Sequence, residues 1–382
     1  MRRYLWTLLF VAACGGGEGT APHDTEFHIV AGGNNVPARY SSDLWVHDSF
    51  AYTGTWGGAA RNGNVGNVVN IWSLSPTGAP SLADSLVVPG ISTVSDVQVS
   101  DDGTVLVFGA ERGPNAGLFV YGLADPRHPA FLDSALVETG IHTATIADIG
   151  GRKYVFAARN PVSPALQIYD ITNPSSITLT ASVPIPPAYG IHDTYVREGL
   201  AFVFAWNTGL IIYDVGNGIR SGSPGSPIEV GRLLTSDDGV SGGAQVHNGW
   251  WFHNPVTGEK RYLFIGQEGP GAIGTRSSGD IHVVDVSDLA NPVEVGFYHL
   301  DGAGTHNFWM DEGRQILYAA YYNGGVVALD VSGTLSGDLS NRLIGQIAPG
   351  GAGDTYVWGV QLSGGSLYAI DMLSGLWQLA VP

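Results

Sequence analysis

Four histidines occupy the same place in four similar segments of the chain, and a small polar residue follows each of them. They are His142 in GIHT, His192 in GIHD, His247 in VHN and His306 in THN. At the same register, the other segments of this kind carry Ser42-Asp43, Ser95-Asp96, and either Asp354 or Tyr356. If these segments are equivalent strands of a repeating fold, the four imidazoles lie at one height around a common axis.

Converging imidazoles are compatible with three roles, which the sequence leaves open. Neutral imidazole binds zinc, copper and iron, so three or four rings together predict a site for one transition metal. Alternatively, each histidine holds the turn before its own strand and has a structural role. In the third alternative the rings form a pocket for an anion, which would be pH-sensitive because imidazole titrates near neutrality.

A second group of side chains is expected beside the histidines. Each polar segment is followed by a β-rich run, and a hairpin would bring the end of that run back to the histidine. Charged, amide and aromatic groups at those ends predict a ligand-binding pocket. The candidate ligand-binding residues are Arg112, Arg159, Asn207, Glu268 and Tyr322.

The elements that position these residues are repeated β-strands. A strand-like hexamer recurs at intervals of about 44 to 50 residues, with one longer interval. The hexamers are VNIWSL (69–74), LFVYGL (118–123), LQIYDI (166–171), LIIYDV (210–215), IHVVDV (281–286), VVALDV (326–331) and LWQLAV (376–381). Each is preceded by the β-rich run and the polar segment, and most are followed by a further β-rich run. This pattern predicts units of four short antiparallel strands.

The two ends of the chain complement each other. The last unit stops after its third strand, whereas EFHIVAG (26–32) is a strand-like run without a unit of its own. If this run supplies the missing strand, the ring closes without exposed sheet edges at the junction. We therefore predict an all-β fold: a seven-bladed β-propeller of four-stranded antiparallel blades, closed by an N-terminal strand, forming one domain over residues 26–382.

The hexamers resemble a known repeat. The segment GDIHVVDVSDLANPVEVGFY (279–298) resembles the LVIVD repeat of exported bacterial propellers, and ALQIYDITNPSS and GVVALDVSG are weaker copies. The resemblance implies a propeller, but it does not imply an activity. Propellers similar to the selenium-binding protein and methanethiol oxidase family place metal-binding histidines in a funnel. This chain lacks the nearby cysteine and is much shorter, so their oxidase activity is not implied.

The N-terminus is typical of an exported lipoprotein. Arg2 and Arg3 precede an apolar run that ends in VAAC (11–14), which resembles a bacterial lipobox. We predict a lipoprotein signal peptide at 1–13, lipidation of Cys14, and a flexible tether at 14–25. Gly15 after the cysteine favours the outer membrane. Cys14 is the only cysteine, so the chain cannot form an internal disulfide.

Composition restricts the function classes. The net charge is −17, which disfavours nucleic-acid binding. The sequence contains no GxSxG, HExxH or phosphate-binding glycine loop. We therefore predict a lipid-anchored binding or scaffold protein with a histidine-lined channel mouth as a ligand or metal site. The alternative is a metal-dependent oxidoreductase or hydrolase at that mouth, with zinc, copper or iron. The sequence specifies no protein or small-molecule partner beyond the membrane.

Three features have mainly structural interpretations. The loops at 216–227, 251–260 and 266–279 are either tolerated insertions or a partial lid. Asp170, Asp214, Asp285 and Asp330 recur after the third strand, a position that favours fixing a turn. The tryptophans at 45, 250, 251, 309 and 358 are expected to pack between blades.

Overall fold

The computed structural model describes residues 27–76, 78–159, 163–185 and 190–382. The predicted signal peptide at 1–13, Cys14 and the tether at 14–25 lie outside the described residues. Within the described ranges the fold is all-β, and one short 3₁₀ turn spans Ser340–Arg342. No helix in those ranges is long and apolar enough to cross a membrane.

The chain forms sets of four consecutive antiparallel strands. Strand β1 spans His28–Gly32. The next eight strands are β2 Tyr40–His47, β3 Phe50–Trp56, β4 Val68–Ser73, β5 Ser81–Val87, β6 Thr93–Val99, β7 Val105–Glu111, β8 Gly117–Gly122 and β9 Ala130–Leu136. They are followed by β10 Ile141–Ile149, β11 Arg152–Arg159, β12 Ala165–Asp170, β13 Thr178–Pro184, β14 Asp193–Arg197, β15 Leu200–Phe204, β16 Leu210–Asp214 and β17 Ile228–Leu233.

The C-terminal part of the chain continues the same pattern. Its strands are β18 Val246–Trp251, β19 Tyr262–Gln267, β20 Ile281–Asp285, β21 Val293–Tyr298, β22 Phe308–Asp311, β23 Ile316–Ala320, β24 Val326–Asp330, β25 Gly337–Asp338, β26 Leu343–Ile347, β27 Val357–Ser363, β28 Ser366–Asp371 and β29 Gly375–Ala380. The sheets follow the order β10-β11-β12-β13, β14-β15-β16-β17 and β22-β23-β24-β26, and the short β25 adds in parallel to β18-β19-β20-β21. The sets β2–β5 and β6–β9 are joined by one bridge between Thr55 and Val94.

Burial changes in a regular way across each set. The second and third strands, such as β11 and β12, are buried almost throughout, whereas the fourth strand β13 is largely exposed. Neighbouring sheets cover both faces of the middle strands, which explains why the hexamers are mostly apolar rather than alternating. Phe156 and Ile168 of one sheet, for example, share a buried cluster with Val203 and Ile211 of the next. The first strand of each set carries more polar residues and is the one that bears the histidine register.

The N-terminal strand completes the last sheet. β1 pairs antiparallel with β29, from His28 opposite Ala380 to Gly32 opposite Trp377, giving the order β1-β29-β28-β27. The predicted pairing of the run at 26–32 with the incomplete last unit is therefore confirmed. This pairing covers the edge of β29 that would otherwise present unpaired backbone groups.

The recurrent aspartates after the third strand fix turns, as predicted. Asp170, Asp285 and Asp330 each accept a hydrogen bond from the backbone N–H two residues later, at 2.8–3.0 Å. Asp214 accepts five, from the N–H groups of residues 216, 217, 218, 220 and 222. One carboxylate therefore organises the loop at 216–227.

Candidate functional site

β-bulges place two of the four register histidines. The pairing of β10 with β11 shifts between Ile141 and Thr143, so His142 is the extra residue of the bulge. The pairing of β18 with β19 shifts in the same way around His247. A bulge redirects a side chain out of the regular alternation of a strand, which turns these two rings toward the other histidines.

The unit near the C-terminus places a tryptophan at this register. The pairing of β27 with β28 shifts between Val357 and Gly359, so Trp358 is the equivalent of His142 and His247. The expectation of Asp354 or Tyr356 at this position was wrong because a gap chosen from the sequence cannot locate a bulge. The ring of Trp358 lies 4.1 Å from that of His306, measured between centroids.

The four histidines His142, His192, His247 and His306, here called the histidine cluster, are in contact. The ring centroids of consecutive members lie 4.5 Å, 4.8 Å and 4.0 Å apart. Nε2 of His142 lies 3.2 Å from Nδ1 of His192, within hydrogen-bonding distance. The prediction that equal register brings the four rings together is therefore confirmed.

Four further side chains from the ends of second strands surround the cluster. The four residues occupy equivalent positions on their second strands: Glu111, Trp206, Glu268 and Tyr322. Each lies two residues after the second-strand residue that pairs just beyond the register position of the first strand. The ring of Trp206 stacks on His192 with centroids 4.3 Å apart. The Tyr322 hydroxyl donates a hydrogen bond to Oε1 of Glu268. Glu268 itself is held by its backbone N–H, which donates to the carbonyl of Gln245 at 3.0 Å.

Two of the five predicted ligand-binding residues, Glu268 and Tyr322, belong to this group, and three do not. Arg112 is exposed and its guanidinium lies 6.0 Å from the ring of Trp56. Arg159 donates to the hydroxyl of Thr139, and the amide oxygen of Asn207 accepts from the N–H of Gln245. Each of the three is displaced by one residue from the equivalent position, and adjacent residues of a strand point to opposite sides. Glu111 and Trp206 are also at the ends of their strands, and they rather than their neighbours Arg112 and Asn207 face the cluster; applying the histidine register to the second strands would have selected them.

One histidine of the cluster is paired with a carboxylate. Nδ1 of His142 lies 2.7 Å from Oε1 of Glu111, and both side chains are largely buried. Burial lowers the pKa of His142, but the charge and hydrogen bond of Glu111, together with the charges of Glu268 and Asp96, outweigh it and raise that pKa above its usual value. Burial alone would raise the pKa of Glu111, whereas the His142 charge lowers it below the usual value. Both directions describe an imidazolium–carboxylate ion pair.

The other three histidines are neutral. Burial, together with the neighbouring imidazoles, lowers the pKa of His192 and of His306 well below the usual value. The same causes lower the pKa of His247 to about 3. Burial raises the pKa of Glu268 to about 7, although the Tyr322 hydroxyl and the charge of His142 act in the opposite direction. Neutral imidazole is the form of histidine that binds a metal.

His192, His247 and Glu268 have the geometry of a metal-binding group. Each offers one donor atom, and these atoms lie within 4.8 Å of one another. Oε2 of Glu268 lies 3.7 Å from Nδ1 of His192 and 3.8 Å from Nε2 of His247. Nε2 of His306 lies 4.0 Å from the other oxygen of Glu268. Two imidazoles and a carboxylate are a common ligand set for zinc and related ions.

The hydrogen bonds disfavour the two alternative roles. The ring nitrogens of His142 contact Glu111 and His192 rather than the turn before β10. Nδ1 of His247 and Nδ1 of His306 are buried and have no hydrogen-bond partner, so these rings do not hold a turn through that atom. An anion pocket would need positive charge, whereas the rings beside Glu268 are neutral.

All five tryptophans pack in or against apolar clusters, as predicted. Trp251 and Trp358 are buried in such clusters. Trp45, Trp250 and Trp309 are partly buried and pack against other clusters. The same three rings line a cavity of about 480 Å³, together with residues from the first strand of every set.

Comparison with known proteins identifies the repeat. The LVIVD repeat model matches residues 153–184, 192–235 and 276–299. No curated protein matches the chain. The matched segments contain His192 and the strands around it, but not the other three histidines.

Solved structures show the fold. The chain is similar to Sqt1 from Chaetomium thermophilum, with a TM-score of 0.61, 12% identity, and coverage of 91% of this chain and 83% of that one. It is similar to the β-propeller domain of Cps50 (Swd1) from Myceliophteria thermophila, with a TM-score of 0.60, 13% identity, and coverage of 91% and 99%. A further structure of Chaetomium thermophilum Sqt1, bound to the N-terminus of the ribosomal protein L10, gives 0.59 and 14%, with coverage of 93% and 91%. These identities support the β-propeller fold alone.

Proposed function

Because the chain carries LVIVD repeats on a β-propeller fold, we propose that it is an exported, lipid-anchored binding protein that holds one transition-metal ion between His192, His247 and Glu268. The observation that carries this proposal is the convergence of three donor groups within 4.8 Å, two of them buried and His192 partly buried. Two of them are neutral imidazoles, which need not lose a proton to bind the ion.

The proposed ring has seven blades. Seven sets of strands support this count, since each contributes a first strand to one cavity. They begin with β2, β6, β10, β14, β18, β22 and β27. The pairing of β1 with β29 supports closure of the ring. In such a ring the histidine cluster lies at the channel mouth where the second strands end.

The donor set restricts the ion. Nitrogen and carboxylate donors without thiolate suit zinc, copper(II) or iron(II), and disfavour calcium, which prefers six or more oxygen ligands. The ligand atoms of a tetrahedral zinc site lie about 3.3 Å apart. The distances of 3.7 and 3.8 Å from Glu268 would therefore contract by about half an ångström around an ion.

The test is the metal content of protein begun at residue 20 and purified without a histidine tag. We expect about one equivalent of zinc, copper or iron per chain, and its loss in a His192→Ala/His247→Ala variant. His128→Ala removes an exposed imidazole outside the cluster and is the matched control, which should keep the metal. Metal-free wild-type protein that also fails to take up added zinc would overturn the proposal.

The lipid anchor has a separate test. The VAAC motif predicts that acyl chains are attached at Cys14, and Cys14→Ser removes this attachment site. The variant should move the full-length protein from the membrane fraction to the soluble fraction. A membrane-bound Cys14→Ser protein would contradict lipidation at this residue. The metal content of the soluble variant should equal that of the wild type.

Binding rather than catalysis is the first candidate because the sequence contains no GxSxG or HExxH motif. The Sqt1 neighbour bound to the N-terminus of L10 is an example of a propeller that binds another chain. A metal-dependent hydrolase or oxidoreductase is the second candidate, because three protein ligands leave one coordination position open to water or substrate. Turnover of a chromogenic ester by zinc-loaded protein, lost on treatment with a chelator, would favour the hydrolase.

A further inference from the structure

A second candidate site lies next to the histidine cluster along the same strands. The cavity of about 480 Å³ is lined by residues from β2, β6, β10, β14, β18, β22 and β27. Asp43, Asp96 and Asp193 line it, and each directly follows a register residue, Ser42, Ser95 and His192. Along β10 the lining runs from Thr145 to Ile149, so the cavity extends from the aspartates toward the far ends of the first strands. We call it the central cavity.

The three aspartates form the inner end of the central cavity. Asp43 accepts a hydrogen bond from the side chain of Asn307 at 2.7 Å, and Asp193 accepts one from the N–H of Thr194 at 2.7 Å. Asp96 accepts from the N–H of Ala144 at 2.5 Å. A Cβ atom at Gly359 would lie 2.8 Å from Oδ1 of Asp43, so this glycine leaves the room that the carboxylate occupies.

These aspartates lack the cations that neutralise the outer acids of the same cavity. Glu198 pairs with Lys260, and Asp148 lies 3.8 Å from Lys153. In the described part of the chain, no lysine or arginine forms an ion pair with Asp43, Asp96 or Asp193. The charge of His142 acts on Asp96 and Asp193, but His142 is itself paired with Glu111.

The absence of a cationic partner is reflected in the pKa of Asp43. Burial and the neighbouring Asp96 raise the pKa of Asp43 well above its usual value. Asn248 lines the same cavity, is 4% exposed, and its amide oxygen has no hydrogen-bond partner. Asp43 and Asp96 also hydrogen-bond each other. The inner end of the cavity therefore holds carboxyl groups that no lysine or arginine pairs and one amide oxygen without a donor, which is the property of a site for a ligand that donates hydrogen bonds.

Aromatic rings form one wall of the central cavity. The centroids of Tyr195 and Trp250 lie 5.2 Å apart, those of Trp250 and Trp309 lie 5.3 Å apart, and those of Trp309 and Trp45 lie 5.9 Å apart. Tryptophan faces attract cations and also pack against alkyl chains. Arg197 lines the cavity nearby, but Glu312 neutralises it through two hydrogen bonds, so it does not repel a cation.

We propose that the central cavity binds a primary alkylammonium group, with its three N–H donors directed to Asp43, Asp96 and Asp193 and its alkyl chain against Trp45, Trp250 and Trp309. An ammonium group provides three donors and one positive charge, and the three carboxyl groups have no lysine or arginine partner of their own. The aromatic wall selects an organic cation over an inorganic one. Both a free alkyl amine and a lysine side chain of a peptide carry this group.

Calorimetric titration of 1,5-diaminopentane into protein begun at residue 20, in the presence of EDTA, tests the proposal. We expect saturable binding with one equivalent per chain. The neutral analogue 1,5-pentanediol should not bind. The chelator keeps the measurement independent of the metal site, so that the two proposals fail or succeed separately.

Variants assign the binding to the cavity. Asp43→Asn/Asp96→Asn keeps the size of both side chains and should weaken binding of the diamine at least tenfold. Asp148→Asn is the matched control, because its carboxylate lies near Lys153 in the same cavity, and it should change binding less than threefold. Trp309→Leu should weaken binding severalfold through loss of the aromatic face. The thermal unfolding of each variant is measured alongside, and only variants that unfold cooperatively are compared.

A comparison of ligands distinguishes a free alkyl amine from a lysine side chain as the source of the ammonium group. Tighter binding of an acetylated Gly-Lys-Gly peptide than of the diamine would assign the site to a lysine side chain, and weaker binding would assign it to a free amine. Absence of diamine and peptide binding, or equal binding to the Asp43→Asn/Asp96→Asn variant, would overturn the proposal. So would calcium binding that excludes the diamine, since it would identify an inorganic cation site.

Discussion

Oε2 of Glu268 lies 3.7 Å from Nδ1 of His192, although the two residues belong to different sheets. The contact brings a carboxyl group whose pKa burial raises to about 7 against an imidazole that burial keeps neutral. A metal ion would replace the proton of the carboxyl group and bind the lone pair of the ring.

Glu268→Gln should remove a pH dependence from the stability of the metal-free protein. The pKa of Glu268 is about 7 in the folded state, against 4.5 as its ordinary value. Between these values the folded chain holds a proton that the unfolded chain has released, so the wild type loses stability as pH rises through this window. The free energy of unfolding of the wild type, relative to Glu268→Gln, should fall on the order of 2 kcal/mol between pH 4.5 and 8.

Urea denaturation in the presence of EDTA, repeated across this pH range, provides the measurement. The histidines titrate in both proteins, so their contribution largely cancels in the difference. Parallel stability curves for the two proteins would show that Glu268 ionises normally and would contradict the pKa assigned to it.

Glu111→Gln should destabilise the protein most at mildly acidic pH. The raised pKa of His142 gives stability that is complete below the unfolded pKa of 6.5 and is lost as pH rises through the folded value. The lowered pKa of Glu111 gives stability that is present above 4.5 and is lost as pH falls through its folded value. Removing one partner of such a buried pair costs about 3 kcal/mol. We expect this loss between pH 4.5 and 6.5, and a smaller loss at pH 9.

The exposed Glu138 is the matched control. Glu138→Gln should change the free energy of unfolding by less than about 0.5 kcal/mol at every pH. A Glu111→Gln effect that is the same at pH 6 and pH 9 would mean that His142 is not paired as an imidazolium.

Asp214→Ala should cost more stability than the same change at the other turn-fixing aspartates. Burial raises the pKa of Asp214, but the N–H groups that it accepts from outweigh this and lower the pKa to about 2. Loss of five charge-assisted hydrogen bonds to the buried carboxylate should cost about 3 kcal/mol or more. Asp330→Ala, which loses one such bond, is the control and should cost about 1 kcal/mol. Thermal unfolding provides the comparison, and equal losses would show that the loop at 216–227 does not depend on Asp214.

Removal of β1 should expose the edge of β29. Protein begun at residue 33 lacks the pairing from His28–Gly32 to the last sheet, whereas protein begun at residue 26 keeps it. We expect the shorter protein to unfold at a lower temperature and to associate through the free edge, because unpaired strand edges pair with other chains. Light scattering after size exclusion checks the association. A monomeric shorter protein with unchanged thermal stability would contradict closure by β1.

The repeated strands were predictable because their signal is local. Hexamers such as LQIYDI and LIIYDV are mostly apolar, since sheets on both sides bury them, and glycine and aspartate mark their turns. The complementarity of the chain ends was also visible, because the missing fourth strand leaves an apolar run without a unit. The bulges were not predictable from one sequence, and the difference between Tyr356 and Trp358 at the register depends on one of them.

The candidate site was partly predictable. Four histidines at one register identify a cluster, because repeats place equivalent residues at equivalent heights. The carboxylates depend on a finer distinction: Arg112 is adjacent to Glu111, yet only Glu111 reaches His142. A shift of one residue moves a side chain to the opposite face of its strand. The sequence locates the end of a strand only to within one or two residues. It therefore cannot specify which of two adjacent residues faces the cluster.

The most direct test of the central claim is an anomalous difference map from a crystal of the tag-free protein soaked in zinc and measured on both sides of the zinc absorption edge. The account predicts one strong peak about 2.0–2.2 Å from a ring nitrogen of His192, a ring nitrogen of His247 and a carboxylate oxygen of Glu268. A map without a peak at the histidine cluster at saturating zinc, or with zinc only at surface histidines, would contradict it.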